Sequence, residues 1–162
     1  MDELINSMTL HYLSWGELFL RVGLAMVFGM ILGLDRDIKN KPIDFRAFMI
    51  VAVTTCIIAI LGHELYAEFA DANGVVSVDL AKIISGALTG IGFLGAGAIM
   101  HRSDRVVGTA TGASIWAAGS IGLALGFGFY NLAFVAFVAI GIILIGGGFY
   151  MAKFHDRNDK EE

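Results

Sequence analysis

Charge is scarce in this chain. Only 16% of its 162 residues are Asp, Glu, Lys or Arg, where a soluble domain carries about 25%. Hydrophobic residues make up 57% and the mean hydropathy is +0.75. A soluble domain of this size keeps much of its chain in contact with water and cannot bury that much apolar surface. The composition therefore excludes a soluble enzyme and a disordered chain. A basic excess is also missing: the formal net charge is −4, so no global positive field attracts nucleic acid. The single cysteine, Cys56, rules out an internal disulfide and any CxxC metal or redox site. One proline, Pro42, rules out a low-complexity linker. Residues 1–17 carry Asp2, Glu3 and Glu17 but no Lys or Arg, so the positive start of a secretory signal is not expected.

What the chain has instead is long charge-free stretches. A helix needs about 20 mostly apolar residues to cross ~30 Å of hydrocarbon. The gaps between charges place five spans, at about 18–34, 46–63, 82–100, 107–126 and 131–151. From Val106 to Ala152 there is no Asp, Glu, Lys, Arg or His. That stretch is too long for one crossing and folds back near Gly126–Asn131, where glycine, Asn and interface aromatics combine. The expected fold is an all-α, polytopic membrane protein: a transmembrane domain over 1–152 and a short cytoplasmic tail over 153–162.

Basic residues alternate between the connections. Arg36, Lys39, Lys41 and Arg46 lie in the first, Arg102 and Arg105 in the third, and Lys153, Arg157 and Lys160 in the tail. The positive-inside rule then puts the N-terminus outside and the C-terminus in the cytoplasm.

Glycine is abundant, at 21 residues. Small residues four apart let two helix backbones approach closely in lipid. Such pairs are Gly29/Gly33, Gly86/Gly90, Gly108/Gly112 and Gly122/Gly126. Tight packing within one bundle explains them, with a homo-oligomer contact and a solute path as the alternatives. Gly90-Ile91-Gly92-Phe93-Leu94-Gly95 spells GxGxxG, yet it lies inside an apolar span and lacks the strand and acid of a dinucleotide site. Residues 89–99 and 111–121 also echo one another weakly, an echo that glycine and alanine bias accounts for. Trp116, mid-span, is expected to pack between helices.

Asp35, Arg36, Asp44, Arg46, Asp104 and Arg105 gather at one membrane face as a ring of opposite charges, either an interface cluster, a clamp on the connections or a ligand site. Arg21 sits one turn inside span 1 and is expected to snorkel outward. His63, Glu64, Glu68 and Asp71 form an acidic group at the other face, read as a solvated surface. No Ser/His/Asp or Cys/His constellation is present, so no catalytic residue, metal site or cofactor is expected.

The run Ile91–Met100 (IGFLGAGAIM), then Val106-Val107-Gly108 and Thr111-Gly112-Ala113-Ser114-Ile115-Trp116, resembles the signature of the MgtC/SapB family of bacterial inner-membrane proteins. Gly29-x-x-x-Gly33-Leu34-Asp35-Arg36 is similar to the family's GxxxGxER, with Asp35 in place of Glu, and Phe45-Arg46 stands where the family often has Leu-Arg. The motif glycines are then Gly29, Gly33, Gly90, Gly92, Gly95, Gly97, Gly108 and Gly112, with Trp116. The resemblance implies an inner-membrane protein of stress adaptation, under low magnesium, acid or intracellular survival. It implies a short form without the family's C-terminal ACT-like domain. The expected partners are lipid, a second copy of the chain and another inner-membrane protein such as the F-type ATP synthase. The expected action is helix–helix contact, carried by Gly92, Gly95, Gly97 and Gly112. The competing expectation is a transporter or channel for a cation such as Mg²⁺.

Overall fold

The computed structural model describes residues 10, 12–39, 43–70, 78–102 and 105–158, without side chains at 70, 102, 105 and 149–158. Five helices and one short hairpin follow in order: α1 (Trp15–Ile38), α2 (Phe45–Ala70), α3 (Leu80–Gly97), β1 (Met100–Arg102), β2 (Arg105–Val107), α4 (Thr109–Gly126) and α5 (Tyr130–Asn158). The architecture is that of an all-α polytopic membrane protein. Four helices are long and apolar enough to cross a membrane: α1, α2, α3 and α5 over Tyr130–Gly148. The fifth, α4, has the same length as α3, 18 residues, and is rich in Gly, Ala, Ser and Thr.

Side-chain caps start the first three helices. Ser14 Oγ accepts the Glu17 N–H at 3.2 Å, and Glu17 in the first turn with Arg36 in the last complements the helix dipole of α1. Asp44 Oδ1 accepts the Arg46 N–H at 2.8 Å at the start of α2. Asp79 Oδ1 accepts the Ala81 and Lys82 N–H groups at the start of α3. The hydroxyls inside the helices turn back on their own backbone: Thr55 on Val51 and Ala52, Thr89 on Ser85, Ser114 on Ala110 and Ser120 on Trp116. Each thereby satisfies its donor without a partner helix.

α4 is the centre of the bundle and touches all four other helices. Eleven of its 18 residues are buried, against two in α3. Ile121, Leu125, Thr111 and Ser114 are fully enclosed, with Phe48 and Cys56 of α2.

The structure corrects the two ends around residue 100. Span 3 was expected to reach 100 and span 4 to begin at 107; α3 stops at Gly97, and Met100 and Val107 pair across an antiparallel hairpin with His101↔Val106 and Arg102↔Arg105. Gly108 then enters α4 at φ +92°, where a Cβ would lie 2.0 Å from the Ala98 carbonyl oxygen. Only glycine suits that corner. Gly108 and Gly112 both lie against the end of α3, at the Ala98 and Gly95 carbonyls, Gly108 as the cap and Gly112 inside α4. The second turn also needs glycine: Gly128 has φ +82°, and α5 begins at Tyr130, taking Asn131 into the helix.

Candidate functional site

The glycines sort into two sets by what a side chain would meet. The first set joins helices inside the bundle. At Gly29 a Cβ would come within 2.8 Å of the Phe48 carbonyl oxygen, and at Gly33 within 2.6 Å of Phe45 Cα. Gly122 and Gly126 of α4 lie against the Ala52 and Cys56 carbonyls of α2, at 2.2 and 2.3 Å from the same virtual atom. Gly95 of α3 and Gly112 of α4 face each other's backbone. These positions hold α1 to α2, α2 to α4, and α3 to α4.

The second set faces outward. Added Cβ atoms at Gly86, Gly90, Gly92 and Gly97 would meet nothing within 4 Å. These four are on α3, which also exposes Phe93 and Leu94; Gly23 of α1 and Gly141, Gly146 and Gly147 of α5 are open in the same way. Of the motif glycines expected to carry contact with another chain, Gly92 and Gly97 are therefore open, while Gly95 and Gly112 are spent inside the bundle.

Trp116 was expected to pack between helices. It is instead 47% exposed and walls an open groove of about 540 Å³ with Ala81, Ile84, Ser85, Leu88 and Thr89 of α3. The reason is geometric: α3 presents small residues at Ser85 and Thr89 there, which leaves the indole uncovered.

The charged residues form separate pairs. Asp35 bonds Arg36 through Oδ2, with Nε at 2.9 Å, and Lys39 through Oδ1 at 2.6 Å. Arg36 is 5% exposed. Asp44 pairs with Arg46, whose side chain is exposed while that of Asp44 is partly so. The Asp44 carboxyl is held below the usual carboxylate value, first by the Arg46 side-chain hydrogen bond and then by the Arg46 backbone N–H. Asp104 lies outside the described residues, as does the Arg105 side chain. Asp71 of the opposite acidic group is also outside them. Within that group, Glu64 accepts the backbone N–H groups of Tyr12 and Leu13 at 3.0–3.3 Å and ties the entry of α1 to α2.

Arg21 departs most from expectation. It does not snorkel into solvent but is 7% exposed. Its Nη1 donates to the Gly126 carbonyl at 2.6 Å, its Nε to Tyr130 Oη at 3.2 Å, and Nη2 pairs with Glu17. Tyr130 also places its ring 5.8 Å below the guanidinium. Gly128, with no side chain, leaves the room the guanidinium fills, since a Cβ there would sit 3.0 Å from Nη2. A buried arginine in a span normally pairs with acids or carbonyls. The available clue was the i,i+4 spacing of Glu17 and Arg21.

Among the described residues no group of three or more His, Cys, Asp or Glu could hold a metal ion.

The MgtC family model matches residues 22–151. This chain belongs to the MgtC family. The match spans the Gly29/Gly33 and Gly95/Gly112 contacts. The chain is 35% identical over 132 residues to Protein SapB of Bacillus subtilis, covering 79% of this chain and 56% of SapB. It is 33% identical over 116 residues to Protein MgtC of Salmonella typhimurium, covering 72% and 46%. It is 28% identical over 128 residues to the Escherichia coli protein named "Putative magnesium transporter YhiD", covering 79% and 59%. The chain thus spans about half the length of these curated relatives. No solved structure matches it. As a family member with helices able to cross a bilayer, it is a membrane protein.

Proposed function

We propose that this chain is a regulatory protein of stress adaptation in the bacterial inner membrane, acting by helix–helix contact with a second copy or a membrane partner rather than by catalysis. The observation that carries this reading is the open face of α3. Gly86, Gly90, Gly92 and Gly97 have no neighbour inside the bundle. Glycine in an exposed helix costs up to about 1 kcal/mol relative to alanine. In lipid that cost is offset where a second backbone comes close. The orientation with the N-terminus outside and the C-terminus in the cytoplasm follows from the alternation of Lys and Arg. The F-type ATP synthase is the partner class that the family resemblance suggests.

Cysteine crosslinking in native membranes tests the contact. With Cys56 replaced by alanine, single cysteines along α3 crosslink to a neighbouring chain with helical periodicity. Gly86→Leu with Gly90→Leu abolishes the crosslinks while the bundle still folds. Crosslinking unchanged by the double substitution sinks the reading.

Passage of a divalent cation is the second reading, drawn from the name of the Escherichia coli relative. It requires Mg²⁺ flux into liposomes holding the purified protein, abolished by Asp35→Asn.

A further inference from the structure

A second cavity lies between α1 and α5, away from the α3 face. Its volume is about 320 Å³, and it is walled by Ile31, Leu32 and Asp35 of α1 and by α5 from Phe137 to Ile145. The stacked pair Phe28–Phe137, with ring centroids 4.4 Å apart, stands at one end. At the other end Lys39 reaches across from α1 to α5, donating to the Leu144 carbonyl at 3.2 Å and to Asp35 Oδ1 at 2.6 Å. Between these two contacts the helices stand apart, and the nine residues from Phe137 to Ile145 span ~12 Å of helix.

Every lining residue except Asp35 is apolar or glycine. A closed apolar cavity of about 150 Å³ already takes a small hydrocarbon. This slot is larger and is open along one side, so a chain-like hydrocarbon fits it better than a compact one. The polar end identifies what the hydrocarbon is attached to. Asp35 is shared by Arg36 and Lys39, one carboxylate between two cations. Asp37, the next acid in the sequence, acts electrostatically on Arg46. A lysine ammonium has three N–H donors. Asp35 and the Leu144 carbonyl take two of those of Lys39. The Lys39 side chain is one-third exposed, whereas that of Arg36 is 6% exposed.

We propose that the α1–α5 slot is a binding site for one anionic phospholipid, with an acyl chain between Ile31 and Ile142 and a phosphate oxygen on Lys39. A basic pocket between spanning helices is a recognised setting for anionic headgroups. Gly141 gives the chain its room, because a Cβ there would meet nothing within 4 Å. The lipid fills the gap between Phe137 and Lys39 and completes the seam between α1 and α5.

Native mass spectrometry tests the site. The purified chain is reconstituted into vesicles of equal parts phosphatidylglycerol and phosphatidylcholine, extracted in mild detergent and weighed. The wild type retains one phospholipid, preferentially phosphatidylglycerol. Gly141→Leu fills the slot from α5 without striking the protein and loses that lipid. Gly147→Leu adds the same bulk in open space outside the slot and keeps it. Lys39→Gln still retains a lipid, but its preference for phosphatidylglycerol falls by about fivefold, the factor for one basic residue at an anionic membrane surface. Val138→Phe, also on the lining of α5, supplies the same reading should Gly141→Leu not fold. Equal lipid retention by wild type, the slot-filling variant and Gly147→Leu overturns the site. A phosphatidylglycerol preference that survives Lys39→Gln overturns the assigned headgroup contact.

Discussion

Gly95 and Gly112 meet backbone to backbone: a Cβ on Gly112 would stand 2.5 Å from the Gly95 carbonyl oxygen, and one on Gly95 3.0 Å from that of Gly112. A carbonyl cannot swing aside as a side-chain tip does. Any side chain at Gly112 therefore pushes α3 away from α4. Gly112→Ala is expected to cost about 2 kcal/mol, within the range for overfilling a packed site, and Gly95→Ala less. Gly92→Ala, in open space, is expected to change stability by no more than about 0.5 kcal/mol. Unfolding in mixed micelles of rising SDS content measures all three.

Arg21 is expected to matter more than its place near a helix end suggests. Arg21→Met leaves the Gly126 carbonyl and Tyr130 Oη without their donor. Hydrogen bonds to a charged group contribute about 1.5–3 kcal/mol each, so a loss of roughly 3 kcal/mol is expected. Glu17→Gln is milder, because that side chain is 39% exposed and water replaces the bond. The same micelle titration orders the two variants, and a larger effect for Glu17 contradicts the assignment.

The Asp44–Arg46 pair makes a pH prediction outside the spans. The carboxyl of Asp44 is held below its usual 3.8 by Arg46. Protonation is then harder in the folded protein than in the unfolded chain. The pair's contribution is fully present above the usual value and is lost as the pH falls through the lowered one. Both groups are in solvent, so salt screens the effect. A carbon-13 titration of the Asp44 carboxyl in micelles is expected to show a midpoint below 3.8 that rises in Arg46→Gln.

Reporter fusions at the two ends check the orientation. An N-terminal fusion is expected to report the outside compartment and a C-terminal fusion the cytoplasm. Both reporters in one compartment would refute an odd number of crossings.

The helices were legible because charge gaps and hydrophobic runs carry their own signal. Phe45 and Tyr130 begin helices within one residue of the expected span starts at 46 and 131. The hairpin was not legible: its strands have three residues each, too few for a period-two pattern to stand out from the apolar run around them. The glycine pairs could be found, but their partners could not. Gly86/Gly90 and Gly122/Gly126 look alike in sequence, yet the first pair is open and the second is pressed on α2. Which face a helix turns inward depends on the packing of all five. Arg21 was misjudged for a related reason. Its partners Gly126 and Tyr130 lie more than a hundred residues away, and only the folded chain brings them to it.

The central position of α4 has a consequence for how the protein is made. The helix with the weakest claim on lipid is the one its neighbours enclose. Leaving the translocation machinery alone, it would gain little from the hydrocarbon around it. It is then expected to enter the bilayer as half of a hairpin with α5, whose aliphatic run would carry both across. On that expectation the earlier helices stay incompletely packed until that last pair arrives. Truncation before α5 should strand α4 on the water side and leave the Gly122 and Gly126 seats on α2 vacant.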